Sequence, residues 1–271
     1  MSIIGIDIGS STTKIIEYSK NKIINKDIIS NKDEEQILEE FLNKNNIKVE
    51  QIEKIVVTGI SADKLKNNKY NIPTTIVEEF KAIAKGGQYL TSKNEILVAS
   101  IGTGTAFIKV NKNGIKHLGG TGVGAGTLTN LCKRFCQTSS FEDIIKLSKQ
   151  GDLAKIDLRI GDKTTEKIDT LPYDLTLANF GNLSKDATNA DIALGILNMV
   201  FEVIGMMAAF AIKNDTLKEV VLIGNITTIP SVKRILKKIE ETQKITFIIP
   251  ENAEFGVIIG AINSIKTKKI Q

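Results

Sequence analysis

The stretch that decides the fold is Ile3-Ile4-Gly5-Ile6-Asp7-Ile8-Gly9, continued by Ser10-Ser11-Thr12-Thr13-Lys14. An apolar run that ends in glycine is typical of a buried strand that stops at a tight turn. Thr13 to Tyr18 and Ile23 to Ile29 predict two more strands, with a hairpin turn at Ser19 to Lys22. The chain therefore opens on three strands whose first turn carries an acid, four hydroxyls and a lysine.

The same pattern recurs in the middle of the chain. Ile96 to Ser100 predicts a strand, Gly102-Thr103-Gly104 a turn, and Ala106 to Val110 a returning strand. Two equivalent hairpins predict a duplicated α/β architecture with a cleft between its halves. We place the domain boundary near residue 90, giving an N-terminal domain of residues 1–90 and a C-terminal domain of residues 91–271, with the last helix crossing back.

The remaining periodicity fills in both halves. Three further strands are predicted, at Lys54 to Thr58, Glu219 to Ile223 and Thr246 to Ile249. Helices are predicted from the capping residue Asp33 to about Leu42, from Gly126 through Cys136, and over Asp191 to Lys213, Ser231 to Glu241 and Phe255 to Ile265. Residues 155–186 have weak periodicity and are interpreted as an inserted, loop-rich segment.

Composition excludes several classes of protein. Only three of the 36 basic residues are arginines, and the lysines spread along the chain, so the net charge of +5 does not indicate nucleic-acid binding. No signal peptide or membrane span is expected; the most apolar segment, Ile192 to Ile212, contains Asn198 and Glu202. The two cysteines, Cys132 and Cys136, form no disulfide framework, which favours a cytoplasmic protein.

The first turn has the chemistry of a phosphate site. Asp7 at a strand end can hold a hydrated magnesium ion, and Gly9 allows a tight turn whose N–H groups and hydroxyls donate to phosphate oxygens. Lys14 adds a positive charge for the transferring phosphate. The segment is not a P-loop, because no G-x-x-x-x-G-K sequence is present.

Three other segments fit the same ligand. Ile101 to Thr105 alternates glycines with hydroxyls, and paired with the first turn it predicts a clamp on a polyphosphate. Gly119 to Thr127 is glycine-rich and opens a helix, whose free N–H groups would attract an anion. Val220 to Asn225 is a strand that ends in a glycine turn and would wall an adenosine site.

In their order and spacing these motifs resemble the actin-like ATPase superfamily and, within it, the type II pantothenate kinases. The resemblance covers nearly the whole chain. Its segments are Asp7 to Lys14, Glu79-Phe80-Lys81-Ala82, Ile101 to Thr105, Gly119 to Thr127, Gly151-Asp152 with Ile156 to Leu158, Asp174 to Thr176 with Ala178 to Gly181, and Phe255-Gly256 to Gly260-Ala261.

The resemblance implies an actin-like α/β fold of two duplicated lobes and an ATP- and magnesium-dependent homodimer. Its reaction would phosphorylate the primary hydroxyl of pantothenate, the first step of coenzyme A synthesis. Glu79 would be the catalytic base beside Lys14 and Asp7, with the adjacent Glu78 left as an alternative. The resemblance assigns pantothenate to His117, Gly119 and Gly120, and nucleotide to Gly9, Ser10, Ser11, Thr12, Thr13, Lys14, Thr103, Gly104, Ala125, Gly126, Thr127, Leu128, Thr129, Phe141 and Asn225.

His117 departs from the family pattern, which has an arginine at this position to hold the pantothenate carboxylate. A histidine pairs with a carboxylate only while protonated, and its reference pKa is near 6.5. The bidentate fork of arginine is also lost. We therefore expect the KM for pantothenate to rise between pH 6 and pH 8. The alternative is that the protein acts on a different pantothenate-like substrate.

Two other functions stay open at this point. The first turn also resembles that of the ATPase activators of 2-hydroxyacyl-CoA dehydratases, whose dimers hold an iron–sulfur cluster. If this protein were such an activator, Cys132 and Cys136 would have to hold the cluster. Buried cysteines on a helix are more often packing residues. The second is a weakened homologue that binds ATP or an acyl-CoA as a sensor, which the His117 change alone supports.

Overall fold

The computed structural model describes residues 1–30, 33–166 and 171–266 of the chain. Its strands are β1 (Ser2–Ile8), β2 (Thr12–Ser19), β3 (Lys22–Ser30), β4 (Ile52–Gly59), β5 (Thr74–Ile76), β6 (Ile96–Ile101), β7 (Thr105–Asn111), β8 (Gly114–Thr121), β9 (Leu158–Arg159), β10 (Thr176–Ala178), β11 (Glu219–Ile223) and β12 (Thr246–Ile248). Its helices are α1 (Glu34–Lys44), α2 (Glu79–Thr91), α3 (Ala125–Phe135), α4 (Phe141–Gln150), α5 (Asn189–Ala211), α6 (Ser231–Gln243) and α7 (Gly256–Lys266).

Two five-stranded sheets repeat one topology. The first sheet has the order β3-β2-β1-β4-β5, and the second, read from its matching edge, has the order β8-β7-β6-β11-β12. In each sheet the three hairpin-connected strands are antiparallel, and the two later strands are added in parallel. This repetition confirms the duplicated two-lobed α/β fold predicted from the sequence.

Helices α2 and α7 cross between the two sheets at short range. A Cβ atom built on Gly260 would lie 1.9 Å from the carbonyl oxygen of Ala82, and one built on Gly86 would lie 2.1 Å from that of Gly256. Helix α7 also packs on β1, where Ile258 lies against Gly5, while α2 contacts β6 of the second sheet. The two helices therefore couple the sheets on either side of the cleft.

Three apolar clusters stabilise this arrangement. One lies between the first sheet and α1, a second surrounds α2 and α7, and the third fills the space between the second sheet and helices α3, α5 and α6. Strand β1 divides its side chains between the first two clusters: Ile4, Ile6 and Ile8 face α1, and Ile3 faces the other side. Because side chains alternate along a strand, Asp7 shares the face of Ile3 and points toward α2.

Several elements differ from the sequence expectations. Helix α4 and the full length of α2 were not predicted, and β8 extends through Gly119 and Gly120, which were expected to lead into a helix. The inserted segment is loop-rich as expected, with a short β9–β10 pair; its residues 167–170 lie outside the described part. Helix α5 is long and apolar enough to cross a membrane, but 67% of its apolar window is buried in the fold, as for a core helix.

Candidate active site

Asp7 and Lys14 form an ion pair at the cleft end of the first sheet. They are register partners on β1 and β2, and Lys14 Nζ donates to Asp7 Oδ2 at 3.2 Å. Both residues are buried, with 6% and 9% of their surface exposed. The hairpin therefore holds one carboxylate and one ammonium group at a fixed separation beside the first turn.

Glu78 and Glu79 lie at the start of α2 and have different environments. Glu78 is the N-cap residue, and its carboxylate accepts hydrogen bonds from the backbone N–H groups of Phe80 at 2.8 Å and Lys81 at 2.7 Å. Glu79 begins the helix with its carboxylate accessible from the cleft. Capping thus occupies Glu78 and leaves Glu79 available for chemistry.

The pKa of Glu79 is raised above the ordinary value of a glutamate. Loss of solvation at the cleft wall is the largest cause, the negative charges of Asp7 and Glu78 add to it, and the positive charge of Lys14 opposes it. These couplings place Glu79 in the same electrostatic neighbourhood as the Asp7–Lys14 pair. A carboxylate with a raised pKa is a stronger proton acceptor than an ordinary one.

The two glycine turns meet across the cleft. Thr103 Oγ1, from the turn between β6 and β7, lies 2.6 Å from Ser10 Oγ and 2.9 Å from Ser11 Oγ. The first turn is closed by a bond from Gly9 N–H to the carbonyl oxygen of Thr12 at 3.1 Å. Hydroxyls from both halves thus converge on one point of the cleft.

Thr13 does not share this location. Its neighbour Lys14 points toward α2, so the Thr13 side chain lies on the opposite face of β2. There it lines a side cavity of about 240 Å³, which Gly9 and Ser10 of the first turn also line. The nucleotide contact of Thr13 stays a prediction.

The glycine-rich segment packs against the second turn instead of presenting free donors. The first two N–H groups of α3, from Ala125 and Gly126, donate to the carbonyl oxygens of Gly102 at 2.8 Å and Thr103 at 3.0 Å. A Cβ atom on Gly124 would lie 2.7 Å from the Thr103 oxygen. These two N–H groups are therefore occupied within the fold, and close packing explains Gly124 and Gly126. The nucleotide contacts of Ala125 and Gly126 stay predictions.

The polar side chains that open α3 bond within the helix start. Thr127 Oγ1 donates to the Gly122 carbonyl at 3.2 Å, and Thr129 Oγ1 donates to the Ala125 carbonyl at 2.8 Å. Leu128 is wholly buried in the core of the second half. Its N–H donates to the Gly124 carbonyl, and its nucleotide contact stays a prediction.

His117 lies exposed on β8, beside the start of α2. Its ring stacks on Phe80, with 4.2 Å between ring centroids and 15° between planes. Phe80 follows Glu79, so the stack holds the imidazole beside the candidate base. Gly119 occupies a β-bulge at φ +129°, and a Cβ on Gly120 would lie 2.5 Å from the Thr105 oxygen, so both glycines have structural reasons.

The predicted adenosine residues lie around the end of the second sheet. Asn225 follows Gly224 at the end of β11, whose Ile223 is the register partner of Ser100 on β6. This places Asn225 at the same sheet end as the turn that holds Thr103. Phe141, the first residue of α4, is half-buried against the core of the second half.

Sequence reasoning missed Thr58 on β4. It is the register partner of Asp7, it is wholly buried, and its hydroxyl has no hydrogen-bond partner in the described residues. A single threonine at the end of an apolar strand carries no sequence signal of its own. Only the register of β4 against β1 identifies it as a neighbour of the site.

The two cysteines lie in the core and do not reach a surface. Cys132 is wholly buried and Cys136 nearly so. Burial, with a smaller effect from Cys136, raises the pKa of the Cys132 thiol to about 12, which opposes the thiolate that a metal requires. The described residues also contain no group of three or more His, Cys, Asp or Glu side chains arranged for a metal.

Comparison with known proteins identifies the family. The model of the Fumble family matches residues 95–242, which run from β6 into α6. The chain is also 30% identical over 273 residues to the type II pantothenate kinase of Oceanobacillus iheyensis, covering 97% of this chain and all of that one. The chain belongs to the Fumble family of type II pantothenate kinases.

Two more comparisons extend this assignment. A type II pantothenate kinase of Bacillus cereus is 28% identical over 270 residues, which cover 96% of this chain and 97% of that relative. Among solved structures, the activator of the 2-hydroxyisocaproyl-CoA dehydratase from Clostridium difficile with bound ADPNP has a TM-score of 0.69. The match covers all of this chain and 98% of the activator chain. At 18% identity this second likeness shows the fold alone.

Proposed function

We propose that this protein transfers the γ-phosphoryl group of ATP to the primary hydroxyl of pantothenate, in coenzyme A biosynthesis. Relatives that match over nearly the whole chain are named type II pantothenate kinases. The observation in the structure that supports the proposal is the position of Glu79. An available carboxylate with a raised pKa lies beside the Asp7–Lys14 pair, where two hydroxyl-bearing turns face one cleft. Phosphoryl transfer needs mainly positioning, charge neutralisation and a proton acceptor.

The polyphosphate would lie between the two turns. The hydroxyls of Ser10, Ser11 and Thr103 already converge there and would donate to phosphate oxygens. Lys14 would turn from Asp7 toward the β- and γ-phosphates, as a point charge on a flexible stem. This is the part of the site that both halves of the fold build together.

Magnesium fits the donors present. Mg²⁺ is usually held by one or two carboxylates together with phosphate oxygens and water, and Asp7 offers its second oxygen beside the first turn. Bound there through water, the ion would neutralise charge that develops on the β- and γ-phosphates. Asp7 is the residue that would orient it.

Glu79 would act as the general base. As the oxygen–phosphorus bond to the pantothenate hydroxyl forms, the bond between the γ-phosphorus and its bridging oxygen breaks and ADP leaves. Glu79 takes the hydroxyl proton. His117, held against Phe80, would contact the pantothenate carboxylate, with the backbone of Gly119 and Gly120 along the same strand.

The test is ADP release with ATP and Mg²⁺, measured without an acceptor and with pantothenate, pantetheine or a panel of sugars. Pantothenate-dependent release, with phosphopantothenate identified by mass spectrometry, supports the proposal. Release that needs no acceptor would instead indicate an ATPase, and ATP binding without turnover would indicate the sensor that the His117 change allows. Either result would replace the kinase proposal.

We further propose that the protein works as a cytoplasmic homodimer. The exposed apolar side chains Leu171, Tyr173, Leu177 and Leu183 lie close together in sequence, in the inserted segment. Such concentration is typical of a surface that a partner covers. Two reduced thiols and an ATP-dependent reaction suit the cytoplasm.

A further inference from the structure

Thr58 ends the apolar run of β4 with a hydroxyl that the fold does not satisfy. It follows Ile55, Val56 and Val57, all wholly buried, and is itself wholly buried. Its Oγ1 has no hydrogen-bond partner among the residues described by the structure. A buried hydroxyl without a partner is destabilising, and valine has nearly the same shape without that cost. Folding alone therefore gives no reason for threonine at this position.

The register of the sheet aims this hydroxyl at the active site. Val57 faces α1 and Val56 faces α2, so alternation places Thr58 on the α2 side, the side of Asp7. Thr58 and Asp7 are register partners on adjacent parallel strands. Strands in a sheet lie about 4.8 Å apart, so a change of side-chain rotamer can join the two groups.

The backbone after Thr58 fixes this neighbourhood. Gly59 has φ +98°, and a Cβ atom on it would lie 2.3 Å from the carbonyl oxygen of Ile8. Ile60 N–H donates to that same carbonyl at 3.1 Å. The carboxyl ends of β1 and β4 are therefore pinned together, and Thr58 is held against Asp7 in any state of the cleft that keeps the sheet.

The Asp7 carboxylate depends on Lys14 for a charged donor. In the structure Asp7 Oδ2 accepts from Lys14 Nζ. If Lys14 turns to the phosphates of the bound nucleotide, the buried Asp7 carboxylate loses this donor. The free O–H of Thr58, on the neighbouring strand, can replace it.

We propose that Thr58 is a positioning residue, which donates a hydrogen bond to the Asp7 carboxylate once Lys14 has turned to the nucleotide. The bond would keep Asp7 oriented toward the water shell of Mg²⁺ while Lys14 serves the phosphate. This inference rests on the proposed kinase function for its chemistry. It needs only the binding of magnesium nucleotide for its test.

The variants are Thr58→Val, which keeps the shape and removes the hydroxyl, and Thr58→Ser, which keeps the hydroxyl. Ser2→Ala is the matched control, because Ser2 carries the other buried hydroxyl without a partner among the described residues and lies at the opposite end of β1. The measurements are melting temperature without ligand, affinity for ADP with Mg²⁺ and with EDTA by calorimetry, and kcat with pantothenate.

For Thr58→Val we expect a higher melting temperature without ligand, about 10-fold weaker binding of MgADP, and unchanged binding of ADP in EDTA. Its kcat should fall about 10- to 100-fold, while Thr58→Ser stays within about 3-fold of wild type. Ser2→Ala should gain stability and keep every binding and kinetic value. This split between metal-dependent and metal-independent affinity is one that loss of packing would not produce.

Three results would overturn the assignment: wild-type MgADP affinity in Thr58→Val, equal loss in Thr58→Ser and Thr58→Val, or a lower melting temperature of ligand-free Thr58→Val. The proposed function fails separately, if the wild type shows no pantothenate-dependent turnover. In that case a selective loss of MgADP affinity in Thr58→Val still supports the role of Thr58. Conversely, an active wild type with an unaffected Thr58→Val retains the kinase and rejects the inference.

Discussion

Glu78 and Glu79 are adjacent in sequence, yet the first turn of α2 separates their roles. The Glu78 carboxylate bonds two backbone N–H groups, and Glu79 turns to the cleft beside Asp7 and Lys14. A helix start positions one acid by capping and frees the next. One position along the helix therefore separates the capping glutamate from the glutamate that we propose as the base.

The base role predicts a defined pH profile for Glu79→Gln. The wild type is active with Glu79 ionised, so kcat/KM for pantothenate should fall as pH drops through the pKa of Glu79. Because that pKa is raised, the fall should begin at higher pH than for an ordinary glutamate. Glu79→Gln should lose about 10²- to 10⁴-fold in kcat while it still binds MgATP. Steady-state kinetics from pH 5 to 8 and calorimetry measure both.

Glu78→Gln is the matched control for this prediction. It weakens the cap and should cost about 1 kcal/mol in the free energy of unfolding, with kcat within a few-fold of wild type. If Glu78→Gln lost the larger share of kcat, the base would be Glu78. Full activity in Glu79→Gln would reject the mechanism.

His117 predicts a second substitution, His117→Arg. Its ring is fixed on Phe80 near the start of α2, so an arginine there reaches the same region with a permanent charge and a two-pronged donor. We expect the KM for pantothenate to fall about 10-fold, because arginine can hold a carboxylate with two parallel donors.

Lys116→Arg provides the control, since Lys116 precedes His117 on β8 and points to the other face of the strand. It should leave KM unchanged. A KM in His117→Arg equal to that of the wild type would remove position 117 from the carboxylate site.

At the residue scale, sequence alone predicted the groups whose chemistry follows from their own strand. The Asp7–Lys14 pairing follows from a hairpin around Gly9 and is present in the structure. What escaped prediction depends on the partner strand or the opposite turn: the burial of Thr58, and the use of the first N–H groups of α3 by Gly102 and Thr103. These are long-range contacts, and a local motif cannot encode them.

At the scale of elements, the crossing of α2 and α7 sets the distance between the two halves of the site. Glu79 begins α2, and α7 packs on β1, which carries Asp7. Gly86 and Gly260 allow backbone-to-backbone contact at the crossing. The helix that carries the proposed base is thus anchored on the helix that supports the strand of Asp7.

Gly260→Ala should therefore destabilise the protein strongly. The new methyl group would lie 1.9 Å from the carbonyl oxygen of Ala82, and neither helix can move without disturbing a sheet. We expect a loss of at least about 3 kcal/mol in the free energy of unfolding, measured by urea denaturation. Gly122→Ala is the control, because nothing lies within 4 Å of its Cβ, and it should change stability by less than about 0.5 kcal/mol. Equal stabilities of the two variants would contradict the tight crossing.

The sequence predicted elements best where one periodicity dominates. The strands of both hairpins and helices α5, α6 and α7 agree with expectation to within a few residues. Helix α4 was missed although Ser140 caps it, because the segment follows directly on Cys136 without a glycine or proline boundary. Strand β8 was not predicted, since its glycines serve a bulge and a close approach to β7 that only the paired strand reveals.

At the scale of the whole molecule, the duplication accounts for the cleft, and four exposed apolar side chains lie in the inserted segment. The boundary near residue 90 stays a prediction. Hydrogen bonds join the described part of the inserted segment to itself and to α5. Asp157 accepts from Phe180 N–H at 2.9 Å and from Asn198 Nδ2 of α5 at 2.9 Å. Asn179 donates to Glu202 of α5 at 2.6 Å. A segment held in this way presents a fixed surface.

That fixed surface predicts a homodimer that charged substitutions on the surface would dissociate. Leu171, Tyr173, Leu177 and Leu183 are exposed by 37% to 55% within 13 residues, and covering them would remove apolar area from water on both subunits. Light scattering at micromolar concentration should give twice the chain mass of 29.6 kDa for the wild type. The double variant Leu177→Lys/Leu183→Lys should give the mass of one chain, because burying two uncompensated ammonium groups costs more than the apolar contact returns.

Ile24→Lys is the matched control: Ile24 is exposed by 56% on β3 of the other sheet, and its substitution should leave the dimer intact. A monomeric wild type, or a dimeric double variant, would show that the insertion faces something other than a second copy of this chain.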